Sequence, residues 1–123
     1  MSLIFVVDDD SDVRELVEYK LGQNGHSVLS ATNGQEALRL VPAARPELLL
    51  LDVMMPGLSG FDVLTRLRGD RSTKLLPIIM LTARAQDADA ERGFTLGAND
   101  YVLKPFSPKE LMTRVDAQLT RRA

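Results

Sequence analysis

Cysteine is absent from the 123-residue chain, which removes disulfides, thiol nucleophiles and thiolate metal sites together and argues against a secreted scaffold held by cross-links. Tryptophan is absent too, and with two tyrosines and four phenylalanines the chain has little with which to wall a flavin. Neither sign of charge dominates: 15 Lys+Arg stand against 17 Asp+Glu, for a net charge of -2. No basic field is available to grip nucleic acid by its phosphates. The longest apolar runs are about five residues, where a membrane span needs about 20, and no signal segment opens the chain. The expectation is a cytoplasmic, soluble protein of one domain covering residues 1–123, large enough to hold a core without staples. Met1–Leu3 leaves room for a cloning remnant, and the final Thr-Arg-Arg-Ala for the start of a linker to an output domain removed after residue 123.

Short apolar runs alternate with helical periodicity five times, the pattern of repeated βα units around a parallel sheet. Leu3 to Val7, Leu48 to Leu51, Ile78 to Leu81 and Tyr101 to Leu103 are nearly continuous apolar segments, as strands covered on both faces should be. Ser27 to Ala31 is more polar and reads as an edge strand. Helix stripes are expected at Val13, Leu16, Val17 and Leu21, at Phe61, Leu64 and Leu67, and at Leu111, Val115 and Leu119. Asn33 with Glu36, and Ser107-Pro108-Lys109-Glu110, carry helix-start spacing. Gly22, Gly69 and Gly97 each follow an apolar helical stretch and are expected as C-caps.

The polar residues fall where such a fold binds ligands. Asp8 and Asp9 follow the first strand, Asp52 ends the third, Thr82 the fourth and Lys104 the fifth. Open parallel sheets bind beyond the carboxyl ends of their strands, where strand order reverses; in the order 2-1-3-4-5 that point lies between strands 1 and 3. Asp8, Asp9 and Asp52 would share one crevice. Two strand spacings are about 10 Å, which an extended lysine mostly crosses, so Lys104 can reach Asp52. Carboxylates at 4 Å repel by about 4 kcal/mol per pair under an effective dielectric of 20, so something must neutralise them. An all-oxygen set with few protein ligands suits Mg²⁺. With a lysine and a threonine hydroxyl beside them, the acids are equipped for phosphoryl transfer, Asp52 being the best-placed nucleophile.

Val6-Val7-Asp8-Asp9, Leu51-Asp52-Val53-Met54-Met55-Pro56-Gly57, Leu81-Thr82-Ala83 and Lys104-Pro105-Phe106 together resemble the receiver domain of two-component response regulators, over essentially the whole chain. The resemblance implies a flavodoxin-like, doubly wound α/β fold with a five-stranded parallel sheet in the order 2-1-3-4-5. It implies an aspartyl phosphate on Asp52, taken from the phosphohistidine of a sensor histidine kinase or phosphotransfer protein. Asp9, Asp52 and the Met54 carbonyl would ligate Mg²⁺, with Asp8 acting mainly through water. Lys104 would pair with the phosphoryl group, aimed by a cis bond to Pro105. Thr82 would turn onto the phosphate and Tyr101 swing inward behind it, passing the signal to an output domain or target. Such a domain is a phosphoacceptor that assists its own phosphorylation and dephosphorylation rather than an enzyme.

Two finer expectations accompany the resemblance. Met54 and Arg84, each two residues beyond a site residue, are placed to shield an acyl phosphate and lengthen its life. Asp100 and Arg114 could form one interface ion pair, with Glu110 an acidic neighbour, as in receivers that dimerise through helix 4, strand 5 and helix 5. Ala90 stands where a basic partner of Glu110 is expected, and Asn99 replaces an acid that Arg121 would face, so the expectation is a monomer or a weak dimer. Asp8, Asp10 and Asp12 also mimic the start of a calcium loop, but Val13 and Tyr19 occupy its glycine and twelfth positions. Asp10 and Asp12 read as a solvated helix start. A flavin carrier of this topology fails on the acidic first loop. A small aspartyl-phosphate hydrolase fails on length and on its first motif, and intact acids, threonine and lysine oppose a receiver that never takes a phosphoryl group.

Overall fold

The computed structural model describes residues 2–83 and 87–122. Five strands alternate with five helices: β1 (Leu3–Val7), α1 (Ser11–Gln23), β2 (Ser27–Ala31), α2 (Gly34–Ala44), β3 (Leu48–Asp52), α3 (Gly60–Gly69), β4 (Ile78–Thr82), α4 (Asp87–Thr95), β5 (Asp100–Leu103) and α5 (Pro108–Arg122). All strand pairs are parallel, in the order β2-β1-β3-β4-β5. The polar strand Ser27–Ala31 is an edge, as its composition required, and β5 is the other.

Period-two alternation sends neighbouring side chains of one strand to opposite faces. Phe5, Val7, Leu49, Leu51, Ile78 and Met80 face one way, into a core closed by α2 and α3 through Ala37, Val41, Phe61, Leu64 and Leu67. Ile4, Val6, Leu48, Leu50, Ile79 and Leu81 face the other, against Val17 and Leu21 of α1 and Leu111 and Val115 of α5. The sheet interior is therefore apolar on both sides.

Three local expectations are corrected. Leu16 is exposed rather than part of the α1 stripe, because one narrow seam of Val13, Val17 and Leu21 suffices to meet the sheet. Gly22 lies inside α1 and Gly69 is the last residue of α3; the caps are Asn24 and Asp70, neither of them left-handed. Of the three glycines only Gly97 has a positive φ, joined by Gly25 after α1. The helix starts behave as read. Asn33 accepts from the Glu36 N–H, although the Glu36 carboxylate accepts from Thr32 rather than closing the box on Asn33, and Ser107 accepts from the Glu110 N–H.

The approach of α3 to β3 has a steric cause. The Gly60 N–H donates to the Val53 carbonyl at 2.8 Å, and a Cβ built at Gly60 would lie 2.2 Å from the Asp52 carbonyl oxygen. No side chain fits there. Glycine lets the helix start directly beneath the last residue of β3.

Candidate functional site: an acidic strand-end crevice

The residues singled out at strand ends converge. Asp8 and Asp52 are buried and Asp9 is exposed, and each offers a carboxylate oxygen within 4.8 Å of the other two. Lys104 crosses from the end of β5 as anticipated, but its closest partner is Asp8, whose Oδ2 accepts from Nζ at 2.7 Å; Asp52 Oδ1 follows at 3.3 Å. The Lys104–Pro105 bond is cis. Thr82 is buried at the end of β4, two strands from β1. Met54 donates its N–H to Asp52 Oδ1 at 3.4 Å while its side chain is half exposed. Arg84, the other proposed shield, lies outside the described residues, as do the side chains of Ala90 and Arg121.

Asp8 is the most fully tied of the acids. Its N–H donates to Ala31, its Oδ1 accepts from the Asp10 N–H, its Oδ2 from Lys104, and its carbonyl from Arg14 Nη1 at 2.8 Å. The contact with Arg14 was not foreseen. A cation near the N-terminus of a helix opposes the helix dipole, and that oddity was the available signal. Asp10 caps α1, accepting from the N–H groups of Asp12 and Val13, as a solvated helix start should.

Crowding shows in the proton affinities. Burial, reinforced by the charge of Asp8, pushes the Asp52 pKa up to about 7 in spite of the opposing pull of Lys104. For Lys104, burial works against the ammonium, but the hydrogen bond to Asp8 and the charges of Asp52 and Asp8 outweigh it, so its pKa lies above the ordinary lysine value. A buried carboxylate held near neutrality lacks enough positive charge. A hard divalent cation on the three oxygens would supply it, and exposed Asp9 leaves a side open for the water ligands that such a cation retains. The donor set fits a metal ion.

Tyr101 is half-buried, with its ring against Gly93 and Phe94 of α4, the Phe94 ring centroid 6.4 Å away. Asp100 and Arg114, expected to bridge two chains, pair within this one at 2.8 Å, with Glu110 3.9 Å from the same guanidinium. Asn99 accepts from Arg68 Nη2 and from the Ile78 N–H. An uncharged residue at that place is used inside the fold.

A doubly wound sheet in this order, with clustered acids, a lysine and a buried hydroxyl at its carboxyl edge, defines the class of small phosphoacceptor signalling modules. Residues 4–116 match the response regulator receiver domain, and the chain belongs to that family, the phosphoacceptor component of two-component systems. It is 42% identical over 118 residues to the phosphate regulon transcriptional regulatory protein PhoB of Pseudomonas aeruginosa, covering 96% of this chain and 52% of that protein. Identity is 43% over 118 residues with the alkaline phosphatase synthesis transcriptional regulatory protein PhoP of Bacillus subtilis, covering 96% and 48%. Among solved structures, the Francisella response regulator 1452 receiver domain superposes with a TM-score of 0.93 at 32% identity, covering 100% of both chains. The chain thus spans about half the length of the curated relatives it matches. No helix among the described residues is long and apolar enough to cross a membrane.

Proposed function

We propose that Asp52 is the phosphoacceptor and that Asp8, Asp9, Asp52 and the Met54 carbonyl hold Mg²⁺ beside it. The convergence of three acids and Lys104 at one strand-end crevice carries this reading. When bound, Mg²⁺ neutralises the acids and draws charge from the transferring phosphoryl oxygens. A carboxylate oxygen of Asp52 attacks the phosphorus of a partner kinase's phosphohistidine; the P–O bond forms, the P–N bond breaks, and the ring, protonated from solvent on its other nitrogen, leaves as neutral imidazole. Lys104 then exchanges part of its hold on the carboxylates for the phosphoryl oxygens, and the Thr82 hydroxyl donates to another. The Tyr101 hydroxyl is already buried and its ring already lies against α4, so the ring resettles as Thr82 turns, and β4, β5 and α4 carry the change. Water later hydrolyses the acyl phosphate. Met54 and Arg84 slow that step by covering the site.

The partners in this reading are a sensor histidine kinase or phosphotransfer protein upstream and an output domain or target downstream, in the cytoplasm, without direct contact of this domain with nucleic acid or membrane. As Arg114 is engaged by its own Asp100, a symmetric pairing through α4, β5 and α5 must break an existing contact, which favours a monomer or weak dimer. Sedimentation velocity with and without beryllofluoride should show at most weak self-association; a tight activation-dependent dimer would refute it. For the site itself, acetyl phosphate with Mg²⁺ should add about 80 Da, the mass of one phosphoryl group, by mass spectrometry. The adduct should vanish in Asp52→Ala and on chelation. Persistence in that variant would assign the phosphoryl group elsewhere.

A further inference from the structure

We propose that Arg14 is a positioning residue for the cation site: it fixes the peptide between Asp8 and Asp9 and so aims the Asp9 carboxylate at the same cation as Asp52. The inference rests on the metal-assisted phosphoacceptor reading above. Asp9 is exposed, and no hydrogen bond or ion pair restrains its side chain among the described residues. With no side-chain partner, only the backbone limits where it can point. The Asp8 carbonyl and the Asp9 N–H belong to one planar unit, so a group that holds the carbonyl sets the orientation from which Asp9 departs. Arg14 Nη1 is that group, at 2.8 Å.

Three observations separate this from an ordinary surface arginine. Arg14 is half-buried, and its backbone N–H is already in the helix ladder, donating to the Asp10 carbonyl at 3.0 Å. Acids surround it in sequence at Asp10, Asp12, Glu15 and Glu18, yet no carboxylate lies within ion-pair distance of its guanidinium among the described residues; its one polar side-chain contact is the Asp8 carbonyl. Finally, it is a cation in the first turns of α1, where the dipole disfavours one, and a charge-assisted bond to the carbonyl offsets that cost. The other three polar groups of Asp8 are held by Ala31, Asp10 and Lys104, so Arg14 completes the set. Groups one shell out from a metal typically change its affinity ten- to a hundredfold when removed.

The sign of the effect distinguishes positioning from charge. Removing a cation beside three acids should by electrostatics alone tighten Mg²⁺ binding, whereas releasing the Asp8–Asp9 peptide should weaken it. Calorimetric Mg²⁺ titration of Arg14→Met is expected to show about tenfold weaker binding. Arg14→Lys, with its charge and a single donor nitrogen on a shorter stem, should fall between wild type and Met. Labelling by acetyl phosphate should slow in Arg14→Met at low Mg²⁺ and recover when Mg²⁺ is raised about tenfold, with chelated-state melting temperatures close to wild type. Equal or tighter Mg²⁺ binding in Arg14→Met overturns the proposal while leaving Asp52 as acceptor. Should Arg14→Met not fold, Arg14→Lys and Arg14→Gln decide on the same titration, Gln expected weaker than Lys. If wild type neither binds Mg²⁺ nor is labelled at Asp52, the functional reading fails and this inference with it.

Discussion

Asp52 illustrates how a buried carboxyl is kept in tension. Burial, with the charge of Asp8, pushes its carboxyl pKa from 3.8 in the unfolded chain up to about 7 in the folded one, so between those values the folded state holds a proton that the unfolded state has released. Stability contributed by this group is therefore complete below about pH 4 and is lost as pH rises toward 7. Urea unfolding in chelator should show that decline, other groups' slopes being subtracted through Asp52→Asn. That variant should flatten the profile and be more stable than wild type above pH 7 by up to about 4 kcal/mol, the carboxyl having moved from 3.8 to about 7 and one pKa unit being worth ~1.4 kcal/mol. Lys104→Met should do the reverse. Without the ammonium, Asp8 and Asp52 face each other uncompensated, the carboxyl titration of Asp52 seen by ¹³C NMR should move further up, and stability at neutral pH should fall by about 2 kcal/mol, less than for a wholly buried ion because Lys104 retains contact with water. At this scale the sequence was legible for placement: Asp8, Asp9, Asp52, Thr82 and Lys104 stand at strand ends, with the three acids and the lysine in reach of one another. It was not legible for Arg14, whose contact is with a backbone carbonyl that every residue carries, nor for the preference of Lys104 for Asp8, which depends on ångström differences in reach.

Elements followed the same division. The apolar runs located β1, β3 and β4 within a residue, because burial on both faces leaves little freedom in composition; β5, expected to be covered on both faces, begins at Asp100 rather than Tyr101 and, as an edge strand, leaves Leu103 exposed. Helix ends were harder to read. Gly22 and Gly69 looked like terminators, yet a helix can absorb a glycine at modest cost while tertiary packing sets its length. The correction can be tested. An added Cβ at Gly22 meets nothing within 4 Å, so Gly22→Ala should stabilise the protein by about 0.5–1 kcal/mol in denaturant melts, whereas a left-handed cap would lose stability. Gly60→Ala should behave oppositely. Its Cβ would collide with the backbone of Asp52 and Val53, so α3 must retreat, with an expected loss of about 1–3 kcal/mol and slower labelling at Asp52. The helix starts were legible because a capping side chain must sit at a fixed offset from the N–H it accepts, as at Asn33 and Ser107.

Taken whole, the molecule is a sheet between two separate apolar layers, with its three-acid cluster beyond the carboxyl ends of the central strands. Strand order was inferred from ligand-binding logic and family resemblance rather than from periodicity, which cannot say which strand lies beside which. Within-chain pairing of Asp100 with Arg114 was likewise invisible, since charge pattern alone does not distinguish a contact within a chain from one between chains.

The scarcity of aromatic rings has a practical side. Ultraviolet emission excited to the red of phenylalanine absorption must come from tyrosine, and one of the two, Tyr19, stands exposed on α1 with its hydroxyl accepting from Gln23. In a Tyr19→Phe protein excited in that way the emission originates at Tyr101, beside Gly93 and Phe94. Mixing that protein with a phosphodonor in a stopped-flow instrument would then follow activation in real time, with no dye attached.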